Sequence, residues 1–213
     1  MHAEILTAEQ RAVLDALKPL AAPAGFYLAG GTALALRHAH RRSVDFDFFR
    51  PDAFDGAELL AELDGAFDRV ERMPAGPQTM YVRLRGVTTS FFQYRYPLLE
   101  ALEPTPWGFG LAADLDIAAM KLEAIAGRGS RKDFVDLRML CGSGLRLDDV
   151  FDAFDRKFGS GRTERYHRLR ALAYFDDAER EPMPDLLAPF DWAEARRFFA
   201  TEAARLLDAG ITG

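Results

Sequence analysis

The chain has 213 residues, 49% of them apolar, enough for one sizeable domain or a small domain with a helical companion, and too apolar for disorder. Twenty-seven Lys and Arg against 33 Asp and Glu leave a net charge of −6, which excludes a surface coated in base for duplex binding. The single cysteine, Cys141, excludes an internal disulfide and, next to Met139 and Leu140, reads as a small packed hydrophobe.

No run of about 18 apolar residues exists, and the opening Met1-His2-Ala3-Glu4 has no signal-peptide pattern, so a cytoplasmic protein without membrane partners is expected. Along the chain, Thr7-Ala8-Glu9-Gln10 has capping-box spacing. Val13, Leu14, Leu17 and Leu20 then predict a helix over about 8–18, ended by Pro19. Residues 25–29 read as a short buried strand stopped by Gly30-Gly31, and Thr32 as the cap of a helix through Leu34, Leu36 and His38. A second strand over 44–49 places Val44, Phe46 and Phe48 on one face and Asp45, Asp47 and Phe49 on the other.

An amphipathic helix follows at 54–67, then strands at 79–84 and 88–94 joined at Arg85-Gly86 as a hairpin. Residues 100–110, with Pro104, Pro106 and Gly108, read as a loop and a domain boundary. Helices are expected at about 114–126, 131–141, 147–157, 162–173 and 191–208. Strands early and helices late predict an α/β (α+β) fold: a small mixed sheet of four or five strands in residues 1–110, and a helical region over 111–213 that completes the cleft.

The chemistry concentrates in Gly30-Gly31-Thr32 and Asp45-Phe46-Asp47-Phe48, with thirteen residues, Thr32 to Val44, between Gly31 and Asp45. Two glycines after a strand allow a tight turn and a close approach of backbone to ligand. The helix that follows aims amides and the positive end of its dipole at that spot, which suits a phosphate. Two aspartates at i and i+2 project from one strand face as hard oxygen ligands. Mg²⁺ (or Mn²⁺) takes one or two carboxylates plus substrate phosphates. The bland alternative is a solvated edge strand, but flanking Val44, Phe46 and Phe48 make the strand half-buried, where adjacent carboxylates repel unless a cation lies between them.

Other charged groups have plainer readings. Lys121 sits mid-helix among apolar residues and reads as a solvated or snorkelling lysine. Asp133 and Asp136 share a helical face, and Asp133 suits a first turn. Basic residues gather at Arg37, His38, His40, Arg41 and Arg42, and again from Ala153 to Arg170, where six Lys/Arg meet Asp155 and Glu164. Either a basic rim for an RNA backbone or a solvated helix face accounts for the second group. The acidic stretch 176–194 reads as a solvated loop.

The runs Phe26-Tyr27-Leu28-Ala29-Gly30-Gly31-Thr32-Ala33-Leu34-Ala35-Leu36 and His40-Arg41-Arg42-Ser43-Val44-Asp45-Phe46-Asp47-Phe48-Phe49 resemble the AbiEii/AbiGii-type nucleotidyltransferases, toxin components within the DNA polymerase β-like superfamily. The resemblance continues through Asp116 to Ile125 and Arg128 to Leu137, so it spans roughly residues 24–141. It implies transfer of a nucleotide from a nucleoside triphosphate to an RNA or protein acceptor, and an antitoxin partner. By motif, Gly30, Gly31, Thr32 and Ser43 fall in the triphosphate-binding segment, Asp45 and Asp47 in the metal-binding pair, Lys121 at a triphosphate-contacting lysine, and Asp133 and Asp136 in a later acidic motif.

The chain departs from the superfamily polymerases in one respect. Their third carboxylate, on a later strand, has no counterpart in Val87 to Tyr94, where Ser90 or Gln93 takes the place. Asp136, or else Asp133, is left as general base by elimination. The missing acid is also the sole support for a non-catalytic nucleotide-binding or regulatory protein that keeps the fold. A metal-dependent phosphohydrolase ranks last, because paired His-Asp spacing is lacking.

Overall fold

The Thr7 hydroxyl accepts from the Gln10 amide at 3.1 Å while the Thr7 amide donates to the Gln10 side chain at 3.0 Å, so the capping box opens helix α1 (Ala8–Ala21) as its spacing predicts. Pro19 lies inside this helix rather than ending it. A proline in the last turn forfeits one backbone bond, and the helix stops two residues later. The computed structural model describes residues 1–159 and 161–211. The chain divides into two compact units, Met1–Ala113 and Asp114–Gly213.

In the first unit, β1 (Tyr27–Ala29), α2 (Gly30–His38), β2 (Asp45–Arg50) and α3 (Gly56–Ala66) are followed by β3 (Val70–Met73), β4 (Thr79–Leu84), β5 (Val87–Gln93), β6 (Glu103–Pro104) and β7 (Gly110–Leu111). Among the described residues the strands form one seven-stranded mixed sheet, ordered β3-β4-β5-β2-β1-β7-β6. Four or five strands were expected; the additional ones are the short β3 and the two-residue β6 and β7, within the segment expected to be a loop. Two residues carry no periodicity to read. At the hairpin tip Arg85 and Gly86 both take positive φ, 48° and 83°, as a two-residue turn matched to strand twist requires.

One sheet face is the core. Phe46, Phe48, Val82, Thr89 and Phe91 are all fully buried there. The Phe48 ring lies 5.4 Å from that of Phe91 and 5.1 Å from that of Phe109, with α1 packed on β5 and α3. The opposite face carries Asp45, Asp47 and Phe49, and in register beside them Thr88, Ser90 and Phe92. Val44, expected to share the buried face, precedes the strand and is 76% exposed.

The second unit is helical: α4 (Asp114–Arg128), α5 (Arg131–Gly142), α6 (Leu147–Phe158), α7 (Arg162–Leu172), the short α8 (Asp176–Arg180) and α9 (Trp192–Ile211). Helix α4 packs on α5, α6 and α7, and Phe134 gathers Phe175, Trp192 and Phe199 around it at 5.3–5.9 Å. The acidic stretch is more than solvated loop. Glu181 accepts from the Ser130 hydroxyl at 2.7 Å and the Arg131 amide at 2.9 Å, so it caps α5. Burial pushes the Cys141 thiol up to about 12, in keeping with a packed rather than reactive cysteine. Among the described residues no helix is long and apolar enough to cross a membrane.

Candidate active site

Helix α2 begins at Gly30, two residues before the cap position expected at Thr32. The Thr32 hydroxyl donates instead to the Asp45 carbonyl, tying the first turn of α2 to the first residue of β2. Gly30 and Gly31 are therefore the opening residues of the helix, whose first amides have no intrahelical acceptor. Gly30 takes φ +71°, a backbone conformation costly for any residue with a side chain.

The strands then bring the acids to this turn. Asp47 pairs with Ala29 across the antiparallel β1–β2 ladder. A Cβ on Gly30 would stand 2.8 Å from Asp47 Oδ2, and one on Gly31 would stand 2.5 Å from an Arg41 guanidinium nitrogen and 3.0 Å from Ser43 Oγ. A side chain at either glycine would therefore push these side-chain ends aside. The Ser43 hydroxyl faces Asp45 Oδ1 at a long 3.4 Å. One strand–helix–strand unit accordingly assembles Gly30, Gly31, Thr32, Ser43, Asp45 and Asp47. Arg41, only 3% exposed, joins them; its sole sequence signal was membership of the basic run before the aspartates.

The parallel β2–β5 register sets Thr88 beside Asp45 and Ser90 beside Asp47. Gln93 pairs with Arg50, on the alternate face, so of Ser90 and Gln93 only Ser90 shares the face of Asp45 and Asp47. Two half-buried carboxylates on successive rows of one face suit Mg²⁺, which takes the balance of its oxygen ligands from phosphate and water. Among the described residues no group of three or more His, Cys, Asp or Glu converges to hold a metal ion.

Within the second unit, Lys121 contacts Asp133 at 2.7 Å and Asp136 at 2.6 Å, and Arg128 grips Asp133 through two nitrogens at 2.7 and 3.0 Å. Lys121 is 5% exposed and both aspartates are fully buried. The plain reading of a solvated lysine gives way to a buried ion cluster. Burial works against the charge on Lys121, but Asp136 and Asp133 outweigh it and hold its pKa above the usual value. Burial likewise works against ionised Asp133, and Lys121 and Arg128 outweigh it, holding that carboxyl below the usual range.

Three of the six basic residues in the stretch 153–170 are engaged within their own unit. Lys157 is fully buried against Asp116 at 2.6 Å, Arg165 meets Asp155 at 2.8 Å, and Arg168 meets Glu123 at 2.7 Å. Arg165 and Arg168 also lie over the rings of Phe151 and Phe154. Arg156 and Arg170 remain exposed.

The family model described as nucleotidyl transferase AbiEii toxin, type IV toxin–antitoxin system, matches residues 12–105 and 115–208. A protein of Aquifex aeolicus, aq_aa25, is 39% identical over 207 residues, covering 95% of this chain and 98% of its own. Among solved structures, JHP933 from Helicobacter pylori superposes with a TM-score of 0.56 at 16% identity, covering 99% of this chain and 92% of that one. MenT4, a nucleotidyltransferase toxin of Mycobacterium tuberculosis, gives 0.53 at 19% identity, with coverage of 96% and 90%. Those two likenesses speak for the fold, and the family match spans nearly the whole chain: it belongs to the AbiEii nucleotidyl transferase toxin family.

Proposed function

We propose that this protein transfers a nucleotide from a nucleoside triphosphate to a hydroxyl of an RNA or protein acceptor, and that a cognate antitoxin restrains it. The observation that carries the reading is the Asp45–Asp47 face of β2 set against the Gly30-Gly31 opening of α2. Backbone amides at a helix start hold the triphosphate, with Thr32 and Ser43 lining the turn. Asp45 and Asp47 hold Mg²⁺ or Mn²⁺. When bound, that ion neutralises charge on the phosphoryl group.

Transfer also needs a proton acceptor, and Ser90 cannot be one at neutral pH. Asp133, already gripped by two cations, is a weak base, which favours Asp136 for that role. Lys121 supplies a positive point charge toward a triphosphate oxygen.

Calorimetric titration with Mn²⁺ and each nucleoside triphosphate tests the centre. The wild type is expected to bind, and Asp45→Asn combined with Asp47→Asn to abolish binding. Equal affinity in the double variant removes the proposal. Incubation with labelled triphosphates, Mg²⁺ and total tRNA then reads the reaction itself.

A further inference from the structure

We infer that Arg83, on β4, is a positioning residue for the acceptor and takes one of its phosphates. The inference rests on the transferase reading above and adds the side from which the acceptor enters. In the sheet, β2 lies between β1 and β5. The triphosphate seat, Gly30-Gly31, belongs to the β1 side. In-line displacement at phosphorus places the attacking oxygen opposite the departing pyrophosphate. With the leaving group toward β1 and α2, the nucleophile approaches across β5.

What lies that way is given by register. Asp45 pairs with Thr88, Thr88 with Arg83, and Arg83 with Glu71, so all four stand on one sheet face in one row. Two strand spacings, about 10 Å, separate the Asp45 and Arg83 backbones. Arg83 is exposed, and no ion pair or hydrogen bond engages its side chain among the described residues. Its neighbour in the row, Glu71, is engaged by Arg69 at 3.3 Å.

The surroundings have the sign a phosphate backbone needs. From Arg69 to Arg95 there are five arginines and one acid, Glu71, a balance of +4 in a chain whose total is −6. Within this segment Arg69 and Arg72 pair with Glu71 and Asp64, which leaves Arg83 and Arg85 as its exposed charges on β4 and the hairpin tip. An anionic acceptor strand crossing β5 toward β4 meets Arg83 first on the row of Asp45.

The test compares wild type with Arg83→Glu and Arg83→Ala, using total tRNA as the acceptor probe. The KM for tRNA is expected to rise about 10-fold or more, with kcat and triphosphate affinity retained. The salt slope of tRNA binding, read by fluorescence anisotropy without turnover, is expected to fall by about 1. Arg83→Lys, keeping the charge, restores most of the loss. Unchanged KM and salt slope overturn the subsite while leaving the transferase reading intact. Weakened triphosphate binding places Arg83 on the leaving-group side and also overturns it. Label entering protein instead of tRNA, indifferent to Arg83→Glu, overturns it as well. If wild type transfers nothing, the transferase reading fails, and the anisotropy slope alone judges Arg83.

Discussion

Asp47 Oδ2 lies 2.8 Å from the point at which a Cβ on Gly30 would stand. One of the two demands on this turn is steric and the other conformational, since Gly30 also holds φ +71°. Gly30→Ala is therefore expected to cost about 1–2 kcal/mol in urea unfolding, from the left-handed backbone alone. It should also displace the Asp47 carboxylate and weaken Mn²⁺–triphosphate binding in the protein that remains folded. Wild-type affinity in that variant would show that Asp47 does not depend on the turn.

Gly31 makes a different claim. Its free side is filled by the Arg41 guanidinium and the Ser43 hydroxyl, not by backbone. Gly31→Val should leave a folded protein with triphosphate affinity reduced about 10-fold or more, because a branched side chain forces both groups aside. Isothermal calorimetry against the wild type measures it, and unchanged affinity rejects the phosphate seat.

For the proton acceptor, Asp136→Asn is expected to lower nucleotide transfer at least about 100-fold, the low end for a general base, while triphosphate binding persists. Asp133→Asn, by contrast, should act mainly on stability, since it removes an anion shared by Arg128 and Lys121 and leaves Lys121 with Asp136 alone of its two carboxylates. A fully active Asp136→Asn would move the proton-accepting role to Asp133.

The same cluster sets a pH dependence. Asp133 is held below its unfolded pKa, so its contribution is present above about pH 4 and is lost as acid protonates it through the lower folded value. Lys121 is held above its unfolded pKa, so its contribution is present below about pH 10 and is lost as base deprotonates it through the higher folded value. Thermal unfolding should show this part of the stability flat between those limits and falling outside them. Lys121→Met, which leaves buried carboxylates short of a cation, is expected to cost about 3–5 kcal/mol near neutral pH. A variant as stable as wild type would mean that the cluster is hydrated.

The sequence showed the parts governed by local rules. The Thr7–Gln10 capping box, the Arg85-Gly86 turn and the long helices from Asp114 onward each carry their signal within a few residues. The Asp45–Asp47 face was legible for the same reason, being a period-two pattern. What stayed hidden depends on partners far along the chain. Thr32 bonds β2 rather than its own helix, β7 exists because Leu28 offers it an edge, and Lys121 is buried because α5 brings it two carboxylates. No local pattern around Lys121 distinguishes that from a snorkelling side chain. The row linking Asp45 to Arg83 likewise appears only once strand register is known.

The position of β7 has a consequence for synthesis. Strand β1 receives one neighbour, β2, within some twenty residues, but its other neighbour pairs Leu28 with Leu111. Closing so long a loop is entropically costly and slow compared with local pairing. While the chain emerges from the ribosome, the strand that leads into Gly30 therefore presents an open edge until residue 111 is available. Exposed edges of this kind invite pairing with other chains. The Gly30-Gly31 turn is consequently begun early and finished late, and until residue 111 is made the Asp45–Asp47 strand belongs to a sheet whose β1 edge is open.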